Sequence, residues 1–269
     1  MIIERMPNHE YHAAPGISKS GLALIMRSPA HFMFQEKRAS SRAFVIGSAA
    51  HAAILEPELF AAQYMLLREV TDRRASAYKQ PVAVHGEDFV LTGTEADYVA
   101  GMQESVRSHP GALEILSAPG RAELSVTTTD PETGVTVRIR PDWVTDDGRM
   151  LDLKTTQDAR YDAFARSVVN YTYHMQQAFY QDVWFWETGE RLPFEFLVVE
   201  KAMPHAVMMY RLDEEAIREG RRLYREALNT YARCLESNHW PAYGTETEYL
   251  SLPSWAVDAD VDTEELNDE

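Results

Sequence analysis

The sequence predicts an α/β domain in which helices flank a central sheet. Hydrophobic residues make up 45% of its 269 residues and charged residues 25%, which is the ordinary balance of a globular protein. Segments rich in β-branched and aromatic residues occupy the middle of the chain, and amphipathic segments with capping residues lie on both sides of them. The order helix, three strands, helices, strand is typical of a sheet covered by helices.

Helices are predicted ahead of the strands. Ser18 is a typical N-cap for a short amphipathic helix that stops before the next proline. A second helix is expected over Arg42–Leu55, where small residues allow close packing against a neighbour. Residues 71–87 show no clear periodicity, so a long loop is expected there, and Thr94 is expected to cap a helix over 95–108.

The most strand-like region comes next. Residues 122–129 and 135–145 are predicted strands, and the turn-rich sequence between them indicates a tight connection. The later predicted elements are a strand over 149–156, helices over 159–169 and 173–188, strands over 194–200 and 207–212, and a helix over 214–235. Together these elements predict one domain over residues 1–253.

The charge of the chain is strongly acidic, with a formal net value of −16. Charge alone therefore argues against nucleic-acid binding. The charge is unevenly spread, because residues 254–269 contain seven Asp and Glu and neither Lys nor Arg. We expect these residues to form an acidic, disordered tail, so the net charge weakens a DNA-binding hypothesis without excluding it.

Cysteine and hydropathy exclude several classes of protein. The single cysteine, Cys234, cannot form a disulfide within the chain or a cysteine-rich zinc or iron–sulfur site. No stretch is long and apolar enough to predict a membrane span. The first ten residues carry charges and a proline where a signal peptide needs an apolar run. We therefore expect a cytoplasmic protein.

The strongest candidate for chemistry is a hairpin that carries Asp142, Asp152 and Lys154. If residues 146–148 form a three-residue loop with Gly148 in the left-handed region, Asp142 lies opposite Asp152 with Cβ atoms about 5 Å apart. Lys154 then points to the same face. Two carboxylates this close favour a hard divalent cation, so we expect Mg²⁺, with Mn²⁺ as a substitute, beside a lysine that acts on water and phosphate.

Alternatives stay open for each of these residues. A two-residue turn at 147–148 would place the two aspartates on opposite faces, and an exposed hairpin would need no metal. His51, on a helix of small residues, is compatible with a core histidine or with a metal ligand. Gln176 and Tyr180 share one helix face at a spacing of four, which a plain helix flank would also explain.

Five short motifs follow one another along the chain. They read YHAAPGISKS at 11–20, GSAAH at 47–51, RPDW at 140–143, DLKTT at 152–156 and YHMQQAFY at 173–180. This ordered set resembles the nuclease domain of exodeoxyribonuclease VIII (RecE-type), within the PD-(D/E)xK group that includes phage lambda exonuclease and the RecB nuclease domain. The order and spacing of the whole set are far more specific than any one motif.

The resemblance implies roles for individual residues. His51, Asp142 and Asp152 are the implied metal ligands, helped by the Leu153 carbonyl. Lys154 is the implied catalytic lysine.

Three further positions are implied at or beside the active site. Gln176 and Tyr180 form the implied motif next to it. Glu123 resembles an acidic position of the group, although an ordinary edge-strand carboxylate explains it equally well.

DNA contacts are expected from a helix start and from basic side chains. Ser18, Lys19 and Ser20 could contact a terminal phosphate, since helix N-termini bind anions, but simple capping by Ser18 is an equal alternative. The other candidates are Arg73 and Arg74 in the predicted loop and Arg140 on the catalytic strand.

The resemblance implies a restriction-endonuclease-like core with helical additions at both ends. It also implies a Mg²⁺-dependent exonuclease that digests linear double-stranded DNA from 5′ to 3′ and leaves a 3′ single strand for recombination, as in phages and prophages. A ring-shaped homo-oligomer and a single-strand annealing partner (RecT-type) are implied as well. The rivals are a structure-specific endonuclease on the same core and a catalytically silent DNA-binding module.

Overall fold

The computed structural model describes residues 1–36 and 40–253. The predicted acidic tail, residues 254–269, lies outside the described residues. The strands are β1 Ile2–Ile3, β2 Met65–Leu67, β3 Val90–Thr92, β4 Gly120–Ala122, β5 Ser125–Thr129, β6 Thr136–Ile139, β7 Trp143–Thr145, β8 Met150–Thr156, β9 Phe194–Glu200 and β10 Val207–Tyr210.

Along the described chain, helices separate groups of these strands and follow the last of them. They are α1 Asn8–Ala13, α2 Lys19–Arg27, α3 Pro29–Met33, α4 Arg42–Leu55, α5 Pro57–Gln63, α6 Ser76–His85, α7 Gly93–Ser108, α8 Pro110–Ser117, α9 Tyr161–Asn170, α10 Tyr173–Thr188 and α11 Glu214–Ser237. Among the described residues, no helix combines the length and the apolar character needed to cross a lipid bilayer.

The central sheet has five strands in the order β10-β9-β8-β7-β4. Strands β8 and β9 are parallel, and the other neighbours are antiparallel. The crossover from β8 to β9 is made by α9 and α10, as a parallel pair requires. The sheet is therefore mixed, and helices cover its middle strands on both faces, as the sequence predicts.

Successive residues of the middle strands point into two different cores. Met150, Phe196 and Val198 pack in one core with α10 and α11. Leu153 and Leu197 pack in the other core with α4 and α7. Because side chains alternate along a strand, the even-numbered residues of β8 share the α10 side of the sheet.

A second, three-stranded sheet has the order β1-β5-β6. It shows that the predicted strands over 122–129 and 135–145 are wrong as continuous strands, because each is divided between the two sheets. Glu123 has a φ of 51°, a left-handed conformation that ends β4 and redirects the chain into β5. Pro141 has no backbone N–H to donate, and it separates β6 from β7.

Two predictions ahead of the sheet are wrong. Residues 71–87 are not a loop, because α6 occupies 76–85 with Tyr78 buried, despite the proline at position 81. The cap of α7 is Thr92 rather than Thr94: its hydroxyl accepts from the Glu95 backbone while the Glu95 carboxylate accepts from the Thr92 backbone. This reciprocal capping box sets the start of the helix two residues earlier.

Candidate active site

The hairpin that joins β7 to β8 has a three-residue loop, the one of the two open alternatives that makes Asp142 and Asp152 face each other. Gly148 adopts a φ of 85°, and the Thr145 N–H donates to the Arg149 carbonyl at 2.9 Å. Trp143 pairs with Leu151 in this register. Continuing it by one residue places Asp142 opposite Asp152, so the register of the hairpin is confirmed.

Asp142 lies just before β7 begins and is 9% exposed. Its Oδ2 accepts a hydrogen bond from the Leu153 N–H at 2.7 Å. The carboxylate thus takes the place of the backbone carbonyl that would accept from this N–H of β8 in a continuous strand pairing. Burial raises the pKa of Asp142 well above its ordinary value, and the nearby acids Asp152 and Glu123 raise it further. The protein thus leaves the negative charge of this carboxylate largely uncompensated.

Asp152 lies within β8 and is 1% exposed. The amide of Gln176, on α10, donates to its Oδ1, and the ammonium of Lys154 pairs with its Oδ2. Burial on its own would lower the pKa of Lys154, but the carboxylates of Asp152 and Asp142 offset this and raise it. Lys154 is therefore protonated near neutral pH, and its Nζ lies 4.7 Å from the centre of the Tyr173 ring.

His51 reaches the hairpin from α4, on the opposite side of the sheet. A side chain at Gly47, one turn earlier, would come within 3.3 Å of the Thr155 hydroxyl, so the small residues of this helix allow its close approach to β8. The His51 Nδ1 lies 3.5 Å from Asp142 Oδ2. Burial and the charge of Lys154 lower the pKa of His51 to about 4. The imidazole is thus neutral at physiological pH, which is the state that binds metal.

Glu123 enters the site at the point where β4 ends. Its N–H donates to the Asp142 carbonyl at 3.0 Å, which holds the two acidic residues side by side. Burial raises the pKa of Glu123 to about 7, although the Arg140 guanidinium, with its Nε 2.8 Å from Oε2, acts in the opposite direction. The Glu123 side chain is half-buried, with 24% of it exposed, and is paired with Arg140. Its part in the site stays a prediction.

A candidate metal centre is formed by His51, Glu123 and Asp142, whose ligand atoms all lie within 4.8 Å of one another. One neutral imidazole and two carboxylates with raised pKa values are a donor set that fits a divalent cation. Asp152 stands beside this group with its two oxygens directed to Gln176 and Lys154. Asp152 and the Leu153 carbonyl remain predicted ligands.

Two further site candidates to be placed are Tyr180 and Arg140. Tyr180 lies one turn of α10 beyond Gln176, near enough to hydrogen-bond the Arg140 backbone. Arg140 is 12% exposed at its side chain and also donates to the Met6 carbonyl at 2.8 Å. Its guanidinium therefore holds Glu123 and the N-terminal segment together, which leaves less of it for a DNA phosphate than the sequence suggested.

The structure brings Lys19 to the site and leaves Arg73 and Arg74 on the surface. The Lys19 ammonium lies 5.8 Å from the centre of the Tyr173 ring, and burial and the charge of Lys154 lower its pKa to about 8. Arg73 and Arg74 face acids of their own segment and of the turn after α6. Their DNA contacts stay predictions, as do those of Ser18, which caps α2, and of the exposed Ser20.

Sequence reasoning missed Tyr173, whose ring lies near both lysines. Its position three residues before Gln176 places both side chains on one face of α10, and this was the available signal. The link from Arg140 to Met6 had no such signal, since it joins residues far apart in sequence.

Comparison with known proteins identifies the fold. The crystal structure of a "putative exonuclease" from Eubacterium rectale superimposes with a TM-score of 0.65 at 14% identity, covering 93% of this chain and 96% of the other. A second structure, of SSO0001, gives a TM-score of 0.29 at 12% identity over 77% of this chain and 84% of the other, too low to support an argument. No curated protein matches the chain.

The match to a protein family is more direct, because it covers residues 18–253. That range contains every residue of the candidate metal centre, together with Lys154 and Gln176. The matching family is described as a PDDEXK-like domain of unknown function, DUF3799. With its mixed sheet and the hairpin that carries Asp142 and Asp152, the chain has the restriction-endonuclease-like fold and belongs to this PDDEXK-like family.

Proposed function

We propose that this protein is a Mg²⁺-dependent DNA exonuclease, with Mn²⁺ as an alternative cofactor. One observation carries the proposal: His51, Glu123 and Asp142 place their ligand atoms within 4.8 Å of one another, beside the charged Lys154. Membership of a PDDEXK-like family supports hydrolysis of phosphodiester bonds in DNA. The name of the Eubacterium rectale protein supports exonuclease rather than endonuclease action.

The residues divide the chemical work. His51, Glu123 and Asp142 would hold the cation, and Asp152 and the Leu153 carbonyl are the ligands that complete the set. A bound divalent cation supplies Lewis acidity at the phosphate and lowers the pKa of a bound water.

Lys154 has a separate part in the reaction. Its ammonium is oriented by Asp152 and lies near the ring of Tyr173, so it can hold the attacking water and a phosphate oxygen in position. Gln176 keeps Asp152 oriented through its amide. Tyr180 lies near enough to the Arg140 backbone to hydrogen-bond it, two residues ahead of Asp142.

The DNA path is proposed to enter past the start of α2. Lys19 already lies at the site, and Ser18 and Ser20 flank it at the helix start. Arg73, Arg74 and Arg140 are the other proposed contacts, and in each case the arginine must share its charge with a neighbouring acid. Positive charge at these places would offset the acidic total of the chain.

The finer features rest on the resemblance described for the sequence. These are 5′→3′ polarity, a 3′ single-stranded product for recombination, a ring-shaped homo-oligomer, an annealing partner of the RecT type, and a phage or prophage setting in the cytoplasm. A structure-specific endonuclease remains the first rival, because the same metal centre would serve it. A silent DNA-binding module is disfavoured because His51, Asp142, Asp152 and Lys154 retain mutually suitable chemistry.

The test compares end-labelled linear duplex with covalently closed circular duplex, in Mg²⁺, Mn²⁺ and Ca²⁺. An exonuclease shortens the linear DNA from its ends and leaves the circle intact, whereas an endonuclease cuts both. Ca²⁺ should support binding with little turnover, because it tolerates larger and less regular coordination shells. DNA that stays intact in Mg²⁺ and in Mn²⁺ would contradict the proposal.

The matched control uses an acid on the same hairpin. Asp146 lies in the loop, is 58% exposed at its side chain and pairs with Arg121 on the surface. Asp146→Asn should therefore cleave DNA like the wild type, while Asp142→Asn should not. Equal loss in both variants would show that the hairpin fold, rather than the metal centre, had been damaged.

A further inference from the structure

Tyr171 lies in the two-residue link between α9 and α10, and its backbone is held on several sides. Its N–H donates to the Ser167 carbonyl at 2.9 Å, and its own carbonyl accepts from the Lys19 ammonium at 2.5 Å. Thr172, the next residue, adopts the left-handed conformation with φ 52° and ψ 44°, and its hydroxyl also donates to the Tyr171 carbonyl, at 2.7 Å. The residue is therefore fixed in place although it lies in a connection.

The ring of Tyr171 is open to solvent, since the residue is 61% exposed. Its centre lies 5.6 Å from that of Tyr173, at an angle of 30° between the planes. Tyr173 in turn packs against Phe164 and Phe196 of the core, at 6.0 and 5.9 Å. An exposed aromatic side chain thus rests on a rigid aromatic support.

This support lies at the catalytic lysine. The Lys154 ammonium is 4.7 Å from the centre of the Tyr173 ring, and the Lys19 ammonium is 5.8 Å from it. The exposed ring of Tyr171 is therefore one aromatic ring away from two positive charges. Aromatic faces beside cations are the combination with which proteins bind unpaired nucleotides, because the ring stacks on a base and the cation meets its phosphate.

We propose that Tyr171 is a stacking platform for an unpaired nucleobase next to the scissile phosphate. The occupant is the frayed terminal nucleotide of the strand that is being cleaved, with Lys19 and Lys154 on its phosphates. A paired base within a duplex offers no free face, so the platform selects a DNA end over a continuous helix. The inference rests on the proposed nuclease function and names the form of DNA that the site takes.

The experiment pairs a change in the protein with a change in the DNA. Linear duplexes carry an abasic nucleotide placed in turn at each of the first positions from the end, on either strand. Wild type, Tyr171→Ala, Tyr171→Phe and Tyr161→Ala are compared on each duplex, by kcat/KM in Mg²⁺ and by Kd in Ca²⁺. Tyr161, at the start of α9, is the matched control, because it is also an exposed tyrosine, at 77%, and does not adjoin the lysines.

We expect one abasic position to weaken binding to the wild type by roughly 10-fold, the effect of losing one stacked base. Tyr171→Ala should show the same loss on intact DNA and no further loss on that abasic duplex, because the two changes remove one interaction. Tyr171→Phe should behave like the wild type, since stacking needs the ring and not the hydroxyl. Tyr161→Ala should match the wild type throughout, and circular dichroism should show all variants folded.

Two results would overturn the platform while leaving the nuclease in place. One is that the wild type cleaves DNA, but no abasic position changes its kcat/KM or Kd differently from those of Tyr171→Ala. The other is a Tyr171→Ala variant with normal DNA binding and altered self-association by sedimentation, which would make the ring a contact between protein copies. A wild type that neither binds nor cuts DNA in Mg²⁺ or Mn²⁺ would instead contradict the proposed function itself.

Discussion

Two buried aspartates near α10 show how differently one fold treats the same side chain. Asp182, within α10, is 3% exposed and accepts hydrogen bonds from Arg191 at 2.5 Å, Arg221 at 2.6 Å and Tyr224 at 2.5 Å. Burial alone would raise its pKa, but these donors lower it. Donors of the protein itself satisfy the oxygens of this carboxylate and offset its charge. Asp182 therefore has a structural role between α10 and α11.

Asp142 has no such set of donors. The Leu153 N–H is its hydrogen-bond donor at 2.7 Å, and its nearest charged neighbours include two further acids. Its pKa is raised where that of Asp182 is lowered. The comparison teaches that two buried acids can be told apart by whether the protein supplies enough hydrogen-bond donors and positive charge to each. The acid that lacks them is the candidate for binding a ligand.

The largest expected effect is the loss of cleavage on removal of a site carboxylate. Asp142→Ala and Asp152→Ala should each reduce kcat on linear DNA by roughly 1,000-fold or more while the fold stays intact, because several kcal/mol of charge stabilisation at the phosphate is lost. Gel-based assays with circular dichroism on the same samples measure both properties. Near-normal cleavage by either variant would remove it from the site.

Lys154→Ala tests the neighbouring cation. The variant should still bind metal by calorimetry but lose roughly 100- to 10,000-fold in kcat, because the lysine acts on water and phosphate. Lys154→Arg should not restore the rate, since a planar guanidinium does not fit where a compact ammonium lies 4.7 Å from the Tyr173 ring. An active Arg variant would show that charge alone is sufficient.

Asp182→Asn is the structural counterpart. Losing the charged partner of Arg191 and Arg221 should lower the free energy of unfolding by about 1–3 kcal/mol. The effect should fall toward the lower end, because those arginines are about half exposed and can be hydrated, at 53% and 40%. Urea unfolding measures the change, and cleavage per folded molecule should stay normal. A variant that is stable but inactive would reverse the assignment of the two aspartates.

The dependence of stability on pH should reveal the raised pKa values of Glu123 and Asp142. A carboxyl whose pKa is raised by folding stabilises the folded state below its unfolded pKa, and this contribution is lost as the pH rises through the folded pKa. With Glu123 near 7 and Asp142 also raised, metal-free protein should lose stability as the pH rises from the ordinary carboxyl range through neutrality. Asp142→Asn should remove part of this loss and raise Tm by roughly 3 °C above neutral pH.

Metal supplies the control for that measurement. Mg²⁺ should stabilise the wild type more strongly as the pH rises, because Glu123 and Asp142 must lose protons to bind it. The Asp142→Asn variant should respond weakly. Equal Mg²⁺ stabilisation of both proteins by calorimetry would place the cation elsewhere.

The smallest effect is expected from Arg73→Ala combined with Arg74→Ala. If both contact phosphates, the slope of log affinity against log salt should fall by at most about two. The pairing of each arginine with a nearby acid favours a smaller change. A truncation after residue 253 should leave the slope nearly unchanged and tighten binding modestly, because acidic charge is removed. An unchanged slope in the double variant would move the DNA path toward Lys19.

The parts of the site that the sequence predicted are those set by local rules. The hairpin register follows from a loop that ends in Gly148, and the facing positions of Asp142 and Asp152 follow from that register. Gln176 was predicted on the correct helix, and its contact with Asp152 follows from the packing of α10 on the sheet.

The features that the sequence did not predict are mostly contacts between residues that are far apart in the chain. Glu123 takes a left-handed φ of 51°, and its partner Arg140 is held by Met6, which no local pattern encodes. Lys19 meets the Tyr171 carbonyl from a helix far away in the chain. Likewise, α6 forms around the buried Tyr78 despite a proline that argues against a helix.

The position of His51 has a consequence for how the molecule opens. His51 belongs to α4, which packs in the core shared with α7. Asp142 and Glu123 lie in the links between the five-stranded sheet and the three-stranded sheet. A cation held by all three would connect parts of the chain that are remote in sequence, as a crosslink does, and would reduce the number of partly opened states. Amide hydrogen exchange in α4 should therefore slow when metal binds, while exchange in the distant α11 changes little.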